Sequence, residues 1–287
     1  MKSKIVLLLV LSVLVLFACM AEETTSTEAK ILPNVSMDID LDGDGENESL
    51  IWKIEKYDEF DNRAVIEVRK EDGMYSAWKS DRLINPQVYA KDVDEDGVVE
   101  LFVSGDEMSC DYVTFCLNYI GESFQSVFFA DASRGENTNA YYKGGYGALV
   151  SMEGNRVTLR GSQDMLGTYM SDRTFSMVNG CFELLDDGIW YVAATENDME
   201  RWEYQALTLK QDIQITFIAA DGEEIGKLKA GEKMIVTAGD KTSRIWIQTQ
   251  DKRCGILEIE SDVDKGYGLI VNGVPENELF ESIPYAG

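Results

Sequence analysis

Two short acidic segments carry the residue types best suited to holding a hard cation. The first reads Asp40-Leu-Asp42-Gly-Asp44-Gly45-Glu46-Asn-Glu48, and the second Asp92-Val-Asp94-Glu-Asp96-Gly97-Val98-Val-Glu100. Both fit D-x-D-x-D-G-x-x-E and run into an apolar stretch; they begin 52 residues apart (92 − 40), a repeat-sized period. Calcium takes about six to eight oxygen ligands. Three alternate aspartates put their carboxylates on one concave side of a tight loop, and a glycine at the sixth place permits the sharp turn. The backbone carbonyl at the seventh place (Glu46 and Val98) and the acid at the ninth can complete the ring. An EF-hand needs a bidentate Glu at the twelfth place, where these loops have Ile51 and Val103, and helices on both sides. The EF-hand reading fails. A solvated acidic turn that holds no metal is the plainer reading of the same residues.

The elements around these loops read as strands. Short apolar or alternating runs recur at Leu50-Ile54, Ala64-Val68, Leu101-Val103, Val113-Tyr119, Val127-Phe129, Val157-Leu159 and Phe175-Val178, with Gly, Asn and Asp clusters between them as in β-meanders. Asn179-Gly180 marks a hairpin, because a two-residue type I′ turn needs positive φ twice. Helical periodicity is short, and only residues 197–204 suggest a helix. The expected fold class is mostly β.

The acidic pattern resembles the calcium loops of FG-GAP and VCBS-type repeats, the units of integrin-like β-propellers. That resemblance implies metal ligands at places 1, 3, 5 and 9. These are Asp40, Asp42, Asp44 and Glu48 in one loop, and Asp92, Asp94, Asp96 and Glu100 in the other. The first loop has a second register, Asp38-Asp40-Asp42-Gly43-Glu46. Residues 36–205 have room for about three units of this period, and the third has lost its acidic loop. A propeller-like fragment, a small propeller with degenerate blades, and another β-architecture all fit. Asp262-Val-Asp264-Lys-Gly266 is a fragment of the pattern that lacks the third acid and reads as a turn.

Pattern and charge change near Leu207. Five short strands follow, at 213–217, 224–228, 233–237, 244–248 and 255–259. Ile225-Gly-Lys-Leu-Lys-Ala-Gly-Glu-Lys-Met-Ile-Val, Ile245-Trp-Ile-Gln and Cys254-Gly-Ile resemble the bacterial Src-homology-3-like barrel, with Ile256 in place of the closing tryptophan. The resemblance implies a small barrel over about 206–287, with a C-terminal tail, of a kind that binds wall peptides or proteins.

The N-terminus gives the address. Lys2 and Lys4 precede an apolar run from Ile5 to Phe17, short of the ~20 residues a spanning helix needs and proportioned like a secretory leader. Leu16-Phe17-Ala18-Cys19 resembles the bacterial lipobox. It implies cleavage after residue 18 and a diacylglyceryl group on Cys19. Residues 19–35 form a polar tether, ~20–25 Å as a coil over its first part. The expected location is the extracytoplasmic face of the cell membrane, held by the N-terminal lipid anchor.

Composition excludes whole classes of function. The net charge is −26, and losing Lys2 and Lys4 with the leader takes it to −28, so nucleic acid is not an expected partner. Histidine is absent, which removes Ser-His-Asp and Cys-His catalysis and histidine-ligated zinc. Beyond Cys19, Cys110, Cys116, Cys181 and Cys254 either pair or remain buried thiols, and four cysteines allow three connectivities.

Tyr141-Tyr142-Lys-Gly-Gly-Tyr146-Gly places aromatic rings beside glycines, where they either stack on a sugar or pack under a loop. Taken together, the expected function is a calcium-stabilised, non-enzymatic module that binds a cell-wall component, glycan or protein. The alternatives are a two-carboxylate glycan or wall hydrolase and an envelope-assembly scaffold.

Overall fold

The computed structural model describes residues 30–59, 61–108, 111–130, 144–185, 188–193, 198–220, 222–240, 243–261 and 268–285. The chain is mostly β, in antiparallel sheets that include one short parallel pair. Cys19, Cys110, Tyr141, Tyr142 and the 262–266 fragment lie outside the described residues.

Two meanders of the same construction open the fold. Lys30–Ile31 (β1) precedes the first, which consists of Met37–Ile39 (β2), Glu48–Lys56 (β3), Asn62–Arg69 (β4) and Tyr75–Lys79 (β5). The second consists of Ile84–Lys91 (β6), Glu100–Asp106 (β7), Tyr112–Ile120 (β8) and Ser123–Val127 (β9). Each pairs its strands in sequence order, and each carries one acidic loop between its first and second strands. β1 adds to the edge of β6.

Side-chain alternation builds the layers. In β7, Leu101 and Val103 face a core shared with Leu50, Trp52, Ile66 and Val68 of the first meander. Phe102, between them, faces the other way, into a core with Val157, Leu159, Phe175 and Phe182. A period of two sends neighbouring residues to opposite faces. The second meander is therefore covered on both sides, which is why β7 reads as a continuous apolar run and is buried from Glu100 to Gly105. The far layer is a five-stranded sheet built on Ala148–Glu153, Arg156–Asp164, Thr168–Val178 and Cys181–Leu184. Its Asn179-Gly180 turn has φ of 52° and 75°, as the hairpin signal requires.

The C-terminal strands form an open nine-stranded sheet. This corrects the expectation of a closed barrel. The outer edge of Lys233–Gly239 is taken by Trp190–Tyr191 and Leu207–Thr208. Gly222–Leu228 is left as the opposite edge, with Glu223, Glu224 and Lys227 on a mostly exposed strand, and charge on an edge discourages further pairing. The core under this sheet draws in residues from before position 205. Met165, Leu166, Tyr169 and Trp190 pack with Ile215, Val236, Ile247, Leu257 and Phe280. Cys116, Cys181 and Cys254 are free thiols, the first of them buried. Among the described residues no helix is long and apolar enough to cross a membrane.

Candidate metal centres

The two acidic loops are built alike, atom for atom in their backbone bonds. Leu41 N–H donates to Glu48 Oε2 at 2.8 Å and Val93 N–H to Glu100 Oε2 at 2.9 Å. Gly45 N–H donates to Asp40 Oδ2 at 2.9 Å and Gly97 N–H to Asp92 Oδ2 at 3.0 Å. Glu46 N–H and Val98 N–H donate to Asp44 Oδ1 and Asp96 Oδ1, both at 2.8 Å. Leu41 and Val93, the second residue of each loop, are buried and pin the loops over successive cores. This common scaffold selects the register that begins at Asp40. Asp38 lies in β2 and is exposed.

Each loop needs a left-handed residue at its fourth and sixth places. These are Gly43 (φ 71°) and Gly45 (88°) in the first, and Glu95 (60°) and Gly97 (93°) in the second. The loops also touch: Val99 N–H donates to Leu41 O at 3.0 Å, and a Cβ on Gly43 would lie 2.8 Å from Gly97 O. Gly45 has open space around the same position. Gly45→Ala should therefore carry only the left-handed penalty of about 1–2 kcal/mol. Gly43→Ala adds a clash with the neighbouring loop and should lose about 3 kcal/mol. Urea midpoints measure both. Equal losses would mean that the loop tips do not meet.

Carboxylates converge in both loops. One oxygen from each of Asp40, Asp42 and Glu48 lies within 4.8 Å of the others, as do oxygens of Asp92, Asp94 and Asp96. Asp40 Oδ1, Asp42 Oδ1 and Asp92 Oδ1 are buried and have no hydrogen-bond donor among the described residues. Hard, unpartnered carboxylate oxygens suit calcium, so the residues present fit the ion. Asp44 and Glu46 are exposed and stand outside the first triplet, and Glu100 stands outside the second.

The charge balance separates the loops. Lys70, which follows β4, reaches into the first, with Nζ at 2.8 Å from Asp42, 3.2 Å from Glu48 and 3.4 Å from Asp44. The Asp42 hydrogen bond leads in holding its ammonium above the usual lysine range. The Glu46 N–H, with help from Lys70, holds the Asp44 carboxyl below its usual value. Around the second loop, no lysine or arginine among the described residues pairs with Asp92, Asp94, Asp96 or Glu100. Burial pushes the Glu100 carboxyl up to about 7, and Asp94, Asp96 and Asp92 add to the shift against the Val93 N–H. Burial, then Asp96 and Asp92, raises Asp94 as well.

Of the aromatic segment, Tyr146 is described. Its hydroxyl bonds to Ser162, and its ring covers Gly161, where a Cβ would meet it at 2.8 Å. Tyr146 thus packs internally. Lys70 is the residue that sequence reasoning missed. Its only signal was a basic residue at the end of the strand that pairs with the loop's exit strand.

Fold and site together define a mostly β protein with two adjoining acidic loops able to hold a metal ion. No protein-family model, curated protein or solved structure matches the chain.

Proposed function

We propose that this chain is an extracytoplasmic lipoprotein whose N-terminal β-domain is stabilised by calcium and serves as a non-enzymatic binding module for a wall component, glycan or protein. The observation that carries the calcium reading is the second loop, where Asp92, Asp94 and Asp96 converge without a basic partner among the described residues. Three carboxylates converge there beside the buried Glu100, and a divalent ion would offset both the burial and the mutual repulsion that raise Asp94 and Glu100. The repeated meander with an acidic loop between its first two strands supports the likeness to FG-GAP and VCBS repeats. Calorimetric titration of calcium into the mature chain tests the metal, with Asp94→Ala as the variant expected to lose it.

The anchor is tested separately. Cells fed a tagged fatty acid should label the processed protein at Cys19, and Cys19→Ala should abolish the label. An unlabelled mature N-terminus would make the leader an ordinary secretory one.

A further inference from the structure

The two loops share one scaffold but not one cation. In the first meander Ser49 pairs with Arg69, and in the second Leu101 pairs with Leu117. One step further along each ladder sets Lys70 beside Glu48 and Asn118 beside Glu100. Asn118 therefore occupies in the second meander the position that Lys70 occupies in the first. Lys70 spends its ammonium on Asp42, Glu48 and Asp44, and its Nζ also lies 5.9 Å from the centre of the buried Tyr119 ring. Asn118 brings a neutral amide instead, and its buried Oδ1 has no hydrogen-bond donor among the described residues. An amide carbonyl oxygen is an ordinary calcium ligand, whereas an ammonium repels the ion.

From this we infer that Lys70 is the resident cation of the first loop and that calcium uptake is confined to the second, with Asn118 marking the permissive position. The inference rests on the calcium reading of the second loop. It turns the pair of similar motifs into one metal site and one copy with a built-in cation. A fixed side-chain cation lets the first loop fold with no metal present. The second depends on the ion outside the cell.

Calcium bound per chain, counted by equilibrium dialysis on the full mature protein, tests this with two reciprocal variants. The wild-type chain should bind one ion, Lys70→Met two, and Asn118→Lys none while remaining folded. Two ions on the wild-type chain, or one on the wild type and still only one on a folded Lys70→Met chain, would overturn the inference. If Lys70→Met folds only in calcium, the new dependence supports it. If that variant does not fold at all, Asn118→Lys decides, and retained uptake there counts against the inference. No ion on the wild-type chain but one on Lys70→Met would withdraw calcium from the second loop and leave the role of Lys70 standing.

Discussion

Calcium added to chelator-stripped mature protein should raise its melting temperature by about 5–10 °C once free calcium reaches a hundred times the dissociation constant. An ion that binds only the folded state adds RT ln(1 + [L]/Kd), about 2.7 kcal/mol at that excess. For a chain of roughly this size each kcal/mol is worth about 2–4 °C. The gain should be concentrated in the second meander and its neighbours, because the second loop sits on the core that this meander shares with the next sheet through Val93 and bonds to the first loop through Val99. Asp94→Ala should remove the calcium-dependent rise. The variant should also be no less stable than the wild type without calcium, since it deletes one of several repelling carboxylates. Melting unchanged up to millimolar calcium would reduce both loops to acidic turns and withdraw the repeat likeness as a guide to function.

The second large effect is expected far from the acidic loops. Trp190→Ala should destabilise the C-terminal sheet by about 3–5 kcal/mol, the usual range for truncating a buried large aromatic side chain. Trp190 is 4% exposed, pairs with Gly239 across the sheet, and stacks under the Arg173 guanidinium at 4.7 Å. Its neighbours in the core include residues of both the 165–169 segment and the C-terminal strands. Hydrogen exchange should show protection lost across residues 213–259, with the two acidic-loop meanders much less affected. A loss under about 1 kcal/mol would mean that Trp190 is peripheral and that the C-terminal strands form their core without it.

Much of the local structure was legible because it depends on near neighbours. Short apolar runs such as Leu50-Ile54 and Ala64-Val68, bounded by turn residues, read as strands. Asn179-Gly180 supplies two positive-φ residues where the turn needs them. The acidic loops were readable because alternate aspartates, glycines and a ninth-place acid all sit within nine residues, and the carboxylate bonds that close each loop run within those residues. The choice between the Asp38 and Asp40 registers needed the structure, since only the pinning of Leu41 in the core and the bond to Glu48 distinguish them.

Sequence alone thus determined the β class, the two acidic loops and the absence of histidine chemistry, because these follow from residue type and short spacing. Tertiary structure decided how the sheets stack, which upstream residues complete the C-terminal core, why the last sheet stays open, and which loop already has a cation. Lys70 lies 22 residues beyond Glu48 and Asn118 lies 18 beyond Glu100 (70 − 48; 118 − 100), so the 52-residue period does not align them. They become equivalent only through cross-strand register, a property of the paired hairpins that no linear spacing expresses.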